Sequence, residues 1–270
     1  MPRKRNFAAL LRWWRAQRGL SQLALAQRAG ISQRHLSFLE LGRARPSRDM
    51  VEQIANALDI PLRQHNALLV AAGFAPEWRE TDLGAPELAT VNAALDYVMA
   101  QQEPYPAIVV DRHWNLLRAN NGAARLVEFL VGPLAPDAKV NLAGALVAPD
   151  ILKPYLANWQ EVVRYFIHSV EADAATDGTE ETAALLTRLR SYDGVSEALA
   201  KAPLTANAPV LPMHFRKGET SLKLFTTIAT LGTPQDITLQ ELRIESFFPS
   251  DRGTAEVLRS WAPNDRSAKN

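Results

Sequence analysis

The sequence predicts two folded regions of different class: an all-α N-terminal region of five helices, and an α+β region after it. Three observations lead there. Residues 20–46 read as two short amphipathic helices separated by a glycine turn. The hydrophobic pattern changes after Tyr105, where P-A-I-V-V-D and L-L-R-A-N read as short strands. Charge is also divided. Residues 1–80 carry 13 Lys/Arg against 6 Asp/Glu, and residues 81–270 carry 17 against 23. The split places any polyanion partner on the N-terminal region.

Residues 2–5 form a short basic arm. The first helix is expected over residues 6–18, where Phe7, Leu10, Leu11 and Trp14 make one apolar stripe. Ser21 is a natural N-cap for the second helix, and Gly30 suits the left-handed conformation that closes it. Ser32 caps the third helix, Leu36 and Leu39 form its inner face, and Gly42 stops it. A helix, a glycine turn and a second helix make the helix-turn-helix pattern. A fourth helix is expected over 49–58 and a fifth from Pro61 to Gly73.

The motif S-Q-x-x-L-A-x-x-A-G-I-S-Q-R-x-L-S-x-L-E-x-G-R-x-x-P resembles the phage-repressor and Cro-type (XRE) family over residues 7–62. The resemblance implies a double-stranded DNA operator as partner. Carried over to this chain, it puts Gln33 and Arg34 at base edges, Gln33 on an adenine and Arg34 forked onto a guanine. Ser37 and Phe38 follow one turn on, with Phe38 either against a thymine methyl or in the core. Gln22 would meet a phosphate at the start of the second helix, and Arg43 and Arg45 would take phosphates on the other side. The resemblance also pairs Arg15 with Glu40.

Residues 74–87 carry two prolines and a glycine, and read as a linker. A helix over 86–102, with Leu88, Val91, Leu95 and Val98 or Met99 inward, is a candidate homodimer contact. After the two strands, a helix begins near Gly122. Further helices are expected over 150–174 and 180–191. Strands are expected over 222–229 and 237–248, separated by the turn signal G-T-P-Q-D. Residues 251–270 read as a tail. The expected domains are thus 1–73, a linker over 74–87, and 88–250.

The stretches A-A-G-F-A-P, E-P-Y-P-A-I-V-V-D-R-H-W-N, N-W-Q-E-V-V and L-R-I-E-S-F-F-P resemble the MmyB-like ligand-binding domain, a PAS-like α+β fold. This resemblance implies a sensor of a small apolar ligand, with a fatty acid or acyl derivative as the leading class. Tyr105, Trp114, Trp159, Phe166 and Phe225 are the candidate pocket aromatics; ordinary core packing would account for them equally. Asn120 is expected to set turn geometry. Arg118, Arg164 and Arg243 are the candidate carboxylate anchors. The rival reading is a C-terminal domain that serves only dimerisation or protein binding.

Enzyme motifs are missing from the sequence: no P-loop, no G-x-S-x-G and no G-x-G-x-x-G. There is no cysteine, and His35, His65, His113, His168 and His214 are not spaced as metal ligands. No catalysis, metal or cofactor is expected. No apolar run approaches the roughly 18 residues of a membrane span. The basic N-terminus lacks an apolar segment behind it, so no membrane partner and a cytoplasmic location are expected.

Overall fold

The computed structural model describes residues 6–135, 138–200 and 210–262. The basic arm at 2–5 and the last eight residues of the expected tail lie outside them. The chain divides into two compact units. Residues 1–82, 175–178 and 233–240 form unit 1, and the remainder forms unit 2.

Unit 1 is built on α1 (Phe7–Gln17), α2 (Gln22–Arg28), α3 (Gln33–Glu40), α4 (Arg48–Ala57) and α5 (Leu62–Ala72). The first four begin on a polar side chain that accepts a first-turn amide: Asn6 from Ala9, Ser21 from Ala24, Ser32 from His35 and Ser47 from Met50. Each such cap contributes about 1 kcal/mol. Gly30, at φ +67°, makes the turn between α2 and α3 that a side chain would strain. Leu11, Trp14, Leu25, Leu36, Leu39, Ile54 and Leu68 form the core of this unit. Burying each large apolar side chain is worth about 1.5–3 kcal/mol, which sets the helix faces.

Unit 2 opens with a 3-10 turn (Pro86–Leu88) running into α6 (Ala89–Gln101). Its five strands are β1 (Ala107–Val110), β2 (Leu116–Ala119), β3 (Met213–Lys217), β4 (Thr220–Ala229) and β5 (Arg243–Pro249). They form one antiparallel sheet in the order β2-β1-β5-β4-β3. Between β2 and β3 come α7 (Asn121–Val131), α8 (Leu142–Val147), α9 (Trp159–Asp177), α10 (Glu180–Arg190) and α11 (Val195–Ala200). The core of unit 2 joins residues of α7, α8 and α9 to Ile108 and Val110 of β1 and to Leu222 and Leu224 of β4.

Several segments depart from the expected pattern; the helix expected from residue 150, for one, begins only at Trp159. Residues 237–241 are helical (α12, Ile237–Glu241) instead of the start of a strand. The cause is Asp236, whose Oδ1 accepts the Thr238 amide at 2.9 Å as a helix cap does. The tight hairpin lies elsewhere, between β3 and β4. There Lys217 pairs with Thr220 across a two-residue loop, and Gly218 sits at φ +56°. The expected tail begins with α13 (Arg252–Ser260), whose cap Asp251 accepts the Thr254 amide at 2.7 Å and whose Ala255 and Leu258 are buried.

Candidate recognition helix and apolar cavity

In α3, Gln33 and Arg34 are exposed at the N-terminal turn, while Leu36 and Leu39 are buried on the opposite face. Ser37 and Phe38 are half-buried one turn on. Phe38 lies outside the core, under the Arg34 guanidinium at 5.5 Å from its ring centroid. After α3, Gly42 takes φ +69°, and the Arg43 amide donates to Phe38 O at 2.8 Å. Arg43 and Arg45 are both exposed.

Glu40 ties this helix to two others. It is 2% exposed, and it accepts from Arg15 Nε at 2.5 Å, Arg15 Nη2 at 3.0 Å and Gln22 Nε2 at 2.7 Å. Arg15 Nη1 also donates to Leu20 O at 2.8 Å. The hydrogen bond to Glu40 holds the Arg15 guanidinium pKa above its usual value, against the effect of burial. Gln22 is therefore engaged with a carboxylate inside the unit, and its side-chain N–H aligns the start of α2 with α3.

Unit 2 holds a cavity of about 140 Å³ that is partly open to its surroundings. Its wall includes Ile108 of β1, Leu126 of α7, Phe166 of α9, Phe215 of β3, Phe247 of β5 and Trp114. Trp114 follows β1 in a turn held by Asp111, whose Oδ1 accepts the amides of His113 at 2.8 Å and Asn115 at 2.9 Å. The turn puts Trp114 at φ +65°, a region that bulky residues avoid at a cost of about 1–3 kcal/mol. The indole packs edge-on against Phe166 at 4.7 Å between centroids.

One ionisable side chain belongs to this wall, Glu245 of β5. Its residue surface is only partly buried. The carboxyl lies deep in the protein, and desolvation pushes its pKa up to about 7. A hydrogen bond from the Thr226 hydroxyl and the charge of Arg243 act in the opposite direction.

Of the five candidate pocket aromatics, the fold brings Trp114 and Phe166 together on the cavity. Trp159 is a core residue whose indole N–H donates to Leu146 O at 2.8 Å. Tyr105 packs against the edge of the core. Phe225 alternates with Leu224 and Thr226, so it faces away from them, and it stacks on Phe248 at 5.5 Å. The candidate anchors are also elsewhere. Arg118 bonds Asp96 at 2.5 Å and Asn92 Oδ1 at 2.6 Å, Arg243 pairs with Asp173 at 2.7 Å, and Arg164 is buried outside the cavity wall. Asn120 accepts from the Ala107 and Ala123 amides and donates to Tyr105 O, so it caps α7 and ties it to β1.

Residues 91–260 match the family described as the MmyB-like transcription regulator ligand binding domain, and residues 11–64 match a helix-turn-helix family. The chain belongs to the MmyB-like transcription regulators. It is 33% identical over 110 residues to uncharacterized HTH-type transcriptional regulators of Mycobacterium bovis and of two Mycobacterium tuberculosis strains. The match covers 41% of this chain and 39% of each relative.

In this MmyB-like chain, all seven candidate DNA residues fall inside the helix-turn-helix match, and the whole cavity wall falls inside the ligand-domain match. Sequence reasoning missed Glu245. Its signal was there, an acid inside the apolar run L-R-I-E-S-F-F-P. Among the described residues no cluster of His, Asp or Glu could hold a metal, and no helix is long and apolar enough to cross a membrane.

Proposed function

We propose that the protein is a homodimeric, sequence-specific DNA-binding regulator of transcription whose unit 2 holds a small apolar ligand, a fatty acid or acyl derivative. The observation that carries the ligand half is the cavity, walled by side chains from both the sheet and the helices and almost wholly apolar. A domain serving only dimerisation has no use for such a hollow. The exposed start of α3 supports the DNA half, with Gln33 and Arg34 as base readers and Arg43 and Arg45 on phosphates. The backbone amides that open α2, beside Gln22, are suited to a further phosphate. Trp114 and Phe166 are the aromatic contacts to the ligand.

The homodimer reading is supported by α6, where Tyr97 is 67% and Val98 42% exposed while Leu95 and Met99 are buried. Two heads on one face of B-DNA need half-sites about 34–36 Å apart. A ligand that binds one dimer geometry better than the other would then change operator affinity by that difference.

The test is a selection of bound DNA from a random pool, followed by titration of the selected site with and without a series of fatty acids and acyl derivatives. Each added CH2 that enters the cavity should tighten binding by about 0.8 kcal/mol until the cavity is full. Phe166→Ala should blunt that dependence. A pool that yields no preferred site rejects the DNA half. A ligand series that neither binds nor shifts operator affinity rejects the ligand half.

A further inference from the structure

Arg243, Glu245 and Phe247 alternate along β5 and so share one face of the sheet; Glu245 and Phe247 line the cavity. Arg243 stands next in that row. Its guanidinium lies over the Trp114 indole, 5.5 Å from the ring centroid, and Trp114 and its neighbour Phe166 are both wall residues. Its charge also acts on Glu245. Asp173 of α9 holds it at 2.7 Å. Asp173 follows Phe166 by seven residues, about two turns along the same helix face. A cation is thus kept against the cavity by a carboxylate that is outside the wall and 27% exposed.

A fatty acid in this cavity needs a cation for its carboxylate, because a desolvated charge without a partner is costly. The wall residues themselves include no Arg or Lys. Arg243 can supply the charge by exchanging one carboxylate for another. It stays paired throughout, and Asp173, already partly exposed, turns to water. Trp114 Nε1 is buried without an acceptor among the described residues and offers the same carboxylate a second donor. Burial favours the protonated form of Glu245, so this neighbour donates to an incoming carboxylate instead of repelling it.

The two partners also lie on stretches of chain that run into unit 1, which carries the helix-turn-helix. Residues 175–178 come just after Asp173, and residues 233–240 end just before Arg243. Within unit 1, Gly178 lies against the Trp13 indole of α1 with no room for a side chain. The Thr81 hydroxyl donates to Asp236 Oδ2 at 2.6 Å, and the Leu62 amide at the start of α5 donates to Gln240 Oε1 at 2.8 Å. The Arg243–Asp173 bond therefore ties together two stretches that are each anchored in unit 1.

Building on the ligand reading above, we infer that a fatty-acid carboxylate takes Arg243 from Asp173, and that this exchange of partners is the step by which an occupied cavity acts on unit 1. Arg243 is then both the anchor for the acid head group and the link to DNA affinity. An alcohol of the same chain length fills the cavity but leaves the ion pair closed.

The experiment measures calorimetric affinities of the full-length protein for octanoate and 1-octanol at about pH 6, where octanoate is ionised. Affinity for the DNA site selected from the random pool is measured with each compound at saturation. Wild type, Arg243→Met and Asp173→Asn are compared. Arg243→Met should weaken octanoate by about tenfold or more and octanol by less than about threefold. Asp173→Asn releases Arg243 and should tighten octanoate by about threefold or more, with octanol unchanged. Octanoate should change wild-type DNA affinity by about fivefold or more, whereas bound octanol should leave it as it was. Asp173→Asn without ligand should resemble wild type saturated with octanoate. A ratio of octanoate to octanol affinity that Arg243→Met leaves unchanged removes Arg243 as the anchor. Octanoate and octanol acting alike on DNA affinity removes the exchange as the coupling step. Either result leaves the apolar-ligand reading standing. If neither compound binds, the exchange and the ligand reading fall together. The ratio is taken within each protein, so a general loosening of the fold does not imitate the result, and the wild-type DNA arm decides the matter even if a variant does not fold.

Discussion

Arg15 grips Glu40 with two guanidinium nitrogens, Nε at 2.5 Å from Oε1 and Nη2 at 3.0 Å from Oε2. Glu40 is buried at the end of α3, and Arg15 reaches it from α1. The pair fixes the angle of the recognition helix. A buried charge that loses its partner is costly, so Glu40→Ala or Arg15→Ala should each destabilise unit 1 by about 3–5 kcal/mol. The double variant should cost far less than the sum. Chemical denaturation of the four proteins measures the coupling, and additivity within about 0.5 kcal/mol would show that the two residues act independently.

Arg34 and Arg43 are both exposed but should behave differently on DNA. Arg34→Ala should weaken the selected operator by about 1–3 kcal/mol and relax preference at one base position. Arg43→Ala should weaken all sequences alike and reduce the salt slope by about one unit. Titrations at several salt concentrations separate the two roles. Identical behaviour of the two variants would withdraw the assignment of Arg34 to a base.

Gly122 begins α7 where the chain has no room for a side chain. A Cβ there would lie 2.6 Å from Pro104 O and 2.7 Å from Tyr105 O, both backbone atoms. The Gly122 amide also donates to Glu103 Oε1 at 3.1 Å. Gly122→Ala must push α7 away from the approach to β1 and should destabilise unit 2 by about 1–3 kcal/mol. A melt unchanged from wild type would mean that the backbone yields freely there.

Glu245 gives the protein a specific pH response. Its folded pKa of about 7 lies above the usual 4.5, so the folded state holds the proton more tightly than the unfolded chain. The stabilisation is complete below about pH 4.5, declines as pH rises, and is gone above about 7; its size is at most about 3 kcal/mol. Other groups titrate in the same range. Burial lowers His65 and His214, and Arg48 and His168 lower Glu77 and Glu171 respectively. The informative quantity is therefore the difference in stability between wild type and Glu245→Gln. It should shift against wild type between about pH 4.5 and 7, and a difference independent of pH would place the Glu245 carboxyl in water.

The helical half of the protein was legible in the sequence because its signals are local. Asn6, Ser21, Ser32 and Ser47 cap helices by bonding amides three residues on, and Gly30 and Gly42 mark turns by their own backbone freedom. The pairing of Arg15 with Glu40 was also anticipated, from a recurring motif. The five-helix class and the start of the sheet at Ala107 needed only periodicity. What the tertiary structure alone decided is which residues meet across long stretches of chain. Trp114 and Phe166 are 52 positions apart in the sequence and touch, whereas Trp159, seven residues before Phe166 on α9, turns its N–H to Leu146 instead. Phe225 looked like a pocket residue until strand pairing set it against Phe248 on the other face, because a one-residue step along a strand reverses the side chain. The same rule turned Glu245 toward the cavity. An acid in an apolar strand has either face open to it in the sequence, and the register with Ile108 and Ile228 chose between them.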